Sequence, residues 1–432
     1  TPPPSTGNWV INDDTSISNQ AITLNGNLVI QKDGKLTLEN VTLTMNCGSD
    51  GQYMIDVQKG GELRMNNTTV TSASRDWHYK FEIYGKATIN FSHIMEVWGS
   101  NDSTNWAKAG IYVNSNEVSF YCSTVSSCPQ TGITIHNSSP TISNCLIFES
   151  GVRGIQCYGI ASPDIRYNLV HDNGMTGIYM RDETCGNVSN NTIYNHTRIG
   201  INVINKSAPM ISRNTIHDIL NSTLVTAGIS IWGEPPCHPT VDSNNIYNCD
   251  VGISNDVNSS ANITLNNISD CFIYGISVAG NTTPNIDRNR ISDNCPVGIA
   301  NAWKSSSTIT ANIISNCSPY GITAIDFAKP TIKEMNILTN CTDASIAITG
   351  QSNVTIDGNK ISGGKYGIYN NNSASVNISH NTINNISSCG VWTDGTSTFS
   401  SIMIQNNLIE WCGDGITNNR SGRTQICNNT IT

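Results

Sequence analysis

An all-β solenoid with three short strands in each coil of about 23 residues, a parallel β-helix, is the fold this sequence predicts. Three recurring marks predict it. The first is Asn-x-Ile, with its asparagine at Asn168, Asn191, Asn214, Asn244, Asn266, Asn289, Asn312, Asn336, Asn359, Asn381, Asn406 and Asn429. The second is Gly-Ile, from Gly110-Ile111 through Gly252-Ile253 to Gly415-Ile416. The third is a proline-led strand, as in Pro140-Thr141-Ile142, Pro209-Met210-Ile211 and Pro330-Thr331-Ile332. The period is too short for two helices and a turn, and a fixed period of this kind marks a repeat architecture.

The elements follow in chain order. Residues 1–105 form less regular coils, with short alternating strands at Trp9-Val10-Ile11, Leu28-Val29-Ile30 and Leu36-Thr37-Leu38 parted by Gly and Asn-Gly turns. A loop is expected at Gly99 to Asn105. Residues 106–432 carry the regular coils, and the two stretches make one continuous solenoid. Stacked at the inter-strand spacing, about 19 coils would extend on the order of 90 Å. Alternate Ile and Val point inward, a strand-initial proline leaves the ladder intact, and the Asn-x-Ile asparagine sits at a corner in left-handed geometry, its amide bonding the copies above and below. One coil breaks step: 30 residues separate Asn214 from Asn244, with an insertion before Gly228 and another around Glu234-Pro235-Pro236. Both are expected as surface loops.

Composition limits the partners. The net charge of −9 and the absence of a Lys/Arg cluster exclude nucleic acid, which requires basic stripes. No run of 18 apolar residues is present, so no membrane span is expected. The chain begins Thr1-Pro2-Pro3-Pro4, and we expect a removed leader and an extracellular, cell-surface location. Asn-x-Ser/Thr sequons support that placement, with glycosylation candidates at Asn40, Asn137, Asn205, Asn221, Asn258, Asn281, Asn371 and Asn419. Fifteen cysteines point to an oxidising compartment. None forms Cys-x-x-Cys, Cys237-His238 lacks partners at zinc spacing, and Asp13-Asp14 lacks the spaced acids of a calcium loop. Neither metal nor cofactor is expected.

The three-strand Asn-x-Ile, Gly-Ile-x-Ile and Pro-x-Ile repeat resembles the right-handed parallel β-helix repeat family. The pattern from Trp9 to Leu43 resembles secreted archaeal members of methanogen surface layers and sheaths. The resemblance implies a right-handed solenoid. It leaves function open, because this fold hosts lyases, hydrolases, epimerases, adhesins and envelope proteins.

The position after Gly-Ile, from Tyr112 and Thr134 to Tyr369, Trp392 and Thr417, holds neither acid nor base. Two residues further on, His136, Tyr158 and Arg181 fall on successive coils with Asp182 beside them and Asp164 expected nearby. Acid–base catalysis needs two matched groups, and no second carboxylate shares that column, so an enzyme is not expected. Cys249, Cys271, Cys295, Cys317, Cys341 and Cys412 occupy one corner, matched by Cys128. Coil-to-coil disulfides are one expectation there and buried free thiols the other. The leading expectation is a self-associating structural subunit of a sheath-like or S-layer-like envelope, its partner being further copies of itself, head-to-tail and lateral, together with cell-surface glycans. The rivals are a polysaccharide-active β-helix enzyme using His136, Tyr158, Arg181 and Asp182, and an adhesin binding glycans through Tyr369 and Trp392.

Overall fold

The structure is a computed structural model that describes residues 1–99, 108–233, 237–371, 374–394, 401–419 and 423–432. The expected loop beyond Gly99, the boundary between residues 105 and 106, and the Glu234-Pro235-Pro236 insertion lie outside them. The described residues form an all-β parallel solenoid of about 17 turns. Part of the shortfall from 19 arises early. Trp9 pairs with Leu28, Leu28 with Ile55, Ile55 with Phe81 and Phe81 with Ile111, so three of these four coils are longer than 23 residues.

Two compact units are present. The first comprises Thr1–Val203 and Ser207–Thr215, the second Ile204–Lys206 and Ile216–Thr432. In the first, Phe81, Ile111, Ile133, Ile155, Ile178 and Ile201 stack in register. The strand Lys80–Ile83 pairs directly with Ile111–Val113, so the irregular coils run straight into the regular ones. In the second, Ile229, Ile253, Ile276, Ile299, Ile322, Ile346, Ile368 and Val391 form the equivalent column. Strands such as Met54–Val57, Lys80–Ile83 and Lys86–Asn90 show the inside–outside alternation of a pleated segment, and every one of the inward column residues is nearly or fully buried.

The asparagine ladder is buried and fully bonded. Asn266 donates its backbone N–H to Asn289 Oδ1 (3.0 Å) and its Nδ2 to Asn289 Oδ1 (2.9 Å) and the Val241 carbonyl (2.9 Å). The same pattern joins Asn168, Asn191 and Asn214 in the first unit. Two details differ from the sequence expectation. The left-handed residue is the one before the ladder asparagine, such as Tyr167, Leu265 or Met335. Near the end the ladder uses Asn407, to which Asn381 donates, while Asn406 takes the left-handed turn (φ 56°). Left-handed geometry costs a non-glycine residue about 1–2 kcal/mol. The adjacent ladder bonds offset it.

The Gly-Ile glycine has a packing cause. A Cβ on Gly177 would lie 2.7 Å from His196 Nε2, and one on Gly321 would lie 2.9 Å from Cys341 Sγ. Such glycines make room for the backbone carbonyl and an aliphatic methyl of the next coil, as at Gly275 and Gly367, and several of them also for a corner side chain tucked inward from that coil. In the first unit that corner holds Ser150, Asn173 and His196; in the second it holds Cys249, Cys271, Cys317 and Cys341.

Candidate functional site

The site is built from two columns on adjacent coils of the first unit. Strand pairing places Asp56 against Glu82, Glu82 against Tyr112, Tyr112 against Thr134, Thr134 against Gln156 and Gln156 against Tyr179. The sequence reading began this column at Tyr112 and found no acid in it; the structure extends it back to two carboxylates on neighbouring coils. Strands Met54–Val57 and Lys80–Ile83 carry Met54 and Lys80 where later coils have glycine, so the Gly-Ile mark did not reveal them. The alternation Ile55-Asp56-Val57 and Phe81-Glu82-Ile83 was the signal available.

The second column brings together His136 and Tyr158, with stacked rings 4.3 Å apart, and Arg181, whose guanidinium lies 5.8 Å from the Tyr158 ring. Arg181 Nε donates to Asp182 Oδ2 at 3.0 Å. These four expected residues therefore do share one patch. Asp164 does not join them: it sits on another strand, bonded to Arg166 (3.2 Å) and accepting from Asn187 (3.0 Å).

Between the columns, the Tyr112 hydroxyl lies 2.7 Å from His136 Nδ1. Burial, then the Lys108 charge, lowers the His136 pKa, so its imidazole is neutral at pH 7. Burial is also the first cause that raises the Tyr158 phenol, keeping it protonated. Lys108 reaches over the rings of Tyr84 (5.5 Å) and Tyr112 (5.1 Å) while donating to Glu82 Oε2 (2.9 Å) and the Tyr84 hydroxyl (2.7 Å). Burial, then the Glu82 hydrogen bond, pushes the Tyr84 pKa up to about 12. Arg153 packs 4.0 Å from the Tyr179 ring and bonds Gln156. Three cations thus ride on aromatic faces, an arrangement that holds both charges and flat surfaces in place.

A cavity of ≈ 740 Å³ opens beside Tyr84, lined also by Gly60, Gly61, Gly85, Asp56, Lys59 and Lys86. Burial, opposed by the Gln58 hydrogen bond and reinforced by Glu82, raises the Asp56 carboxyl. Among the described residues no cluster of three or more His, Cys, Asp or Glu side chains is placed to hold a metal.

All fifteen cysteines are free thiols, including Cys128, Cys249, Cys271, Cys295, Cys317, Cys341 and Cys412, so the coil-to-coil bridges are absent. Cys249 does stand in register with Cys271. In-register parallel side chains set their Cβ atoms about one coil, some 4.8 Å, apart, beyond the usual disulfide span. Hydrogen bonding to Cys249 and Cys295, then burial, holds the Cys271 thiol well above its usual range. Of the sequon asparagines, Asn40, Asn137, Asn258, Asn281 and Asn419 are exposed, and Asn205, Asn221 and Asn371 are half-exposed.

The family described as "Right handed beta helix region" matches residues 109–236, 200–312 and 297–432. No curated protein matches the chain. Among solved structures, Vag8 in its complex with C1 inhibitor is 9% identical over 98% of this chain and 100% of that one, with a TM-score of 0.51. A mutant of the periplasmic alginate epimerase AlgG is 12% identical (91% and 77% covered, TM-score 0.36). The A-module of the Azotobacter vinelandii mannuronan C-5 epimerase AlgE4 is 11% identical (92% and 90% covered, TM-score 0.31). At these identities the likeness is one of fold.

Proposed function

The chain belongs to the right-handed β-helix family, and from that scaffold we propose that the protein binds an acidic polysaccharide along Lys108, Arg153 and Arg181 and performs acid–base chemistry on it at Tyr112 and His136. The observation that carries the reading is the ladder Tyr112–His136–Tyr158–Arg181. A neutral imidazole is bonded at 2.7 Å to a phenol and stacked on another, with a guanidinium over the far ring. Coils repeat at about 4.8 Å, close to the length of one sugar ring in an extended chain, so successive coils can face successive sugars.

The chemistry follows from the residue types. Arg181 and Lys108 neutralise uronate carboxylates, which makes the neighbouring C–H more acidic. Neutral His136 accepts that proton and Tyr112 shares it. Return of a proton to the opposite face inverts the sugar; loss of the 4-linked oxygen cleaves the chain, with protonated Tyr158 as the donor. The envelope-subunit reading drew on open β-helix ends as well as on sulfur bridges along the corner column, and of these two supports the second is missing where the thiols are free.

The test is sedimentation of the protein with polygalacturonate and with polymannuronate across a salt series. Binding should weaken as salt rises, and Arg181→Gln should lower affinity about tenfold, the scale of one charged contact. Salt-independent binding, or undiminished affinity in the variant, refutes the reading.

A further inference from the structure

The second unit carries an aromatic cluster that the acid–base strip does not use. Tyr369 and Trp392 stack at 4.5 Å with planes 3° apart, and Tyr366 leans on both, at 5.1 Å and 6.2 Å. Strand register isolates the cluster. Ala344 and Ala347 lie on one side, against Tyr366 and Tyr369, and Thr417 lies on the other, against Trp392. The indole face turned away from Tyr369 therefore looks over a small side chain. All three rings are half-buried, so burial has already fixed them while their outer portions meet solvent.

Two residues along each strand runs a polar column, Asn371, Asp394 and Asn419, also in register. Asn371 Nδ2 lies 3.4 Å from the Tyr369 hydroxyl, and Asn419 Nδ2 lies 3.4 Å from Asp394 Oδ2. These long contacts leave the amides and the carboxylate able to exchange partners for sugar hydroxyls. The charge differs from the first unit. Asp343 and Asp394 both act on Tyr369, Asp414 stands in register with Cys389, and the cation at the cluster is Lys365, 5.0 Å from the Tyr366 ring. Lys365 also borders a cavity of ≈ 550 Å³ lined by Gly363, Gly364, Asn340, Asn385 and Trp411. Gly363 and Gly364 hold φ of +74° and +86°, and they leave the corner without the side chain that Cys341 supplies one coil earlier.

We propose that Tyr366, Tyr369 and Trp392, with the Asn371–Asp394–Asn419 column, form a second carbohydrate-binding platform, selective for uncharged pyranose chains. Aromatic faces take the C–H face of a sugar ring and amides take its hydroxyls. The surrounding carboxylates disfavour acidic sugars. The ligand can be a free polysaccharide or a glycan attached at Asn371 or Asn419, both in sequons at the platform's rim.

The experiment uses the full chain made without N-glycosylation, titrated with cellohexaose, maltohexaose and mannohexaose, with hexagalacturonate as the acidic counter-probe. Tryptophan fluorescence and calorimetry give the readout. At least one neutral hexaose should bind, with affinity falling about tenfold or more in Trp392→Ala and unchanged in His136→Gln. If circular dichroism shows Trp392→Ala to be misfolded, Thr417→Arg, which covers the open indole face, supplies the same comparison. Failure of all three neutral hexaoses to bind overturns the proposal, as does full affinity in the folded variant or equal binding of hexagalacturonate at Trp392. In glycosylated protein, binding recovered only after enzymatic removal of the N-glycans identifies the attached glycan as the occupant; binding without that removal identifies a free one. Loss of polyuronide binding in Arg181→Gln with neutral binding intact separates this platform from the first strip.

Discussion

The two units share a coil, an asparagine ladder and a glycine rule, yet they differ at both the outer face and the tucked corner. On the face, the first unit sets Lys108, Arg153 and Arg181 over tyrosine rings, whereas the second sets Tyr369 and Trp392 among carboxylates. At the corner, the first uses Ser150, Asn173 and His196 and the second a run of cysteines. The backbone plan is thus indifferent to what each column carries. Inter-coil bonds and inward aliphatics hold the fold, and the columns outside them are free to take on chemistry.

The largest expected break between the units is catalytic. His136→Gln should lower turnover of a polyuronide by about 10²–10⁴-fold, the usual worth of a general base, while binding at Trp392 is untouched; kinetics and titration of one preparation check both. Because the His136 pKa is lowered, the neutral base persists to pH values below the usual histidine range. The acid limb of kcat/KM should therefore fall below about 6.5.

Stability comes next. Replacing a ladder asparagine, Asn191→Leu in the first unit or Asn312→Leu in the second, strands buried donors and acceptors at about 1–3 kcal/mol each. Urea unfolding should show a similar loss for both, which marks the ladder as the shared feature. The corner column should separate them again. Burial lowers the His196 pKa to about 4, so between that value and the ordinary 6.5 the unfolded chain binds a proton that the folded chain refuses. Stability is then complete above pH 6.5 and declines as pH falls toward 4, by roughly 3 kcal/mol at most. His196→Asn should flatten that decline. The smallest effect is expected at the thiols: buried Cys271 and Cys317 should resist alkylation in the folded protein, whereas exposed Cys185 reacts.

The strands were legible because a buried Ile every coil leaves a periodic trace that a non-repetitive globular fold does not leave. The corner chemistry was partly legible. Gly-Ile was visible, but its cause, the close approach of the next coil's carbonyl and side chains, spans a distance that sequence spacing alone does not reveal. The ladder slipped by one residue at Asn406-Asn407, where two identical residues stand side by side and only backbone geometry separates the turn from the rung. Asp56 and Glu82 escaped because their coils are longer and carry no glycine mark. His136, Tyr158 and Arg181 were found because their coils keep strict register. Whether stacked cysteines bond depends on their Cβ vectors, which a repeat pattern does not encode.

The most direct test of the central claim is proton NMR of polymannuronate and polygalacturonate incubated with the native protein at neutral pH. The account predicts new sugar signals, from inverted residues or from unsaturated ends, that vanish in His136→Gln. Unchanged spectra for both polymers, with both bound in a salt-dependent way, would contradict the assignment of Tyr112 and His136 as an acid–base pair and leave the first unit a binding surface alone.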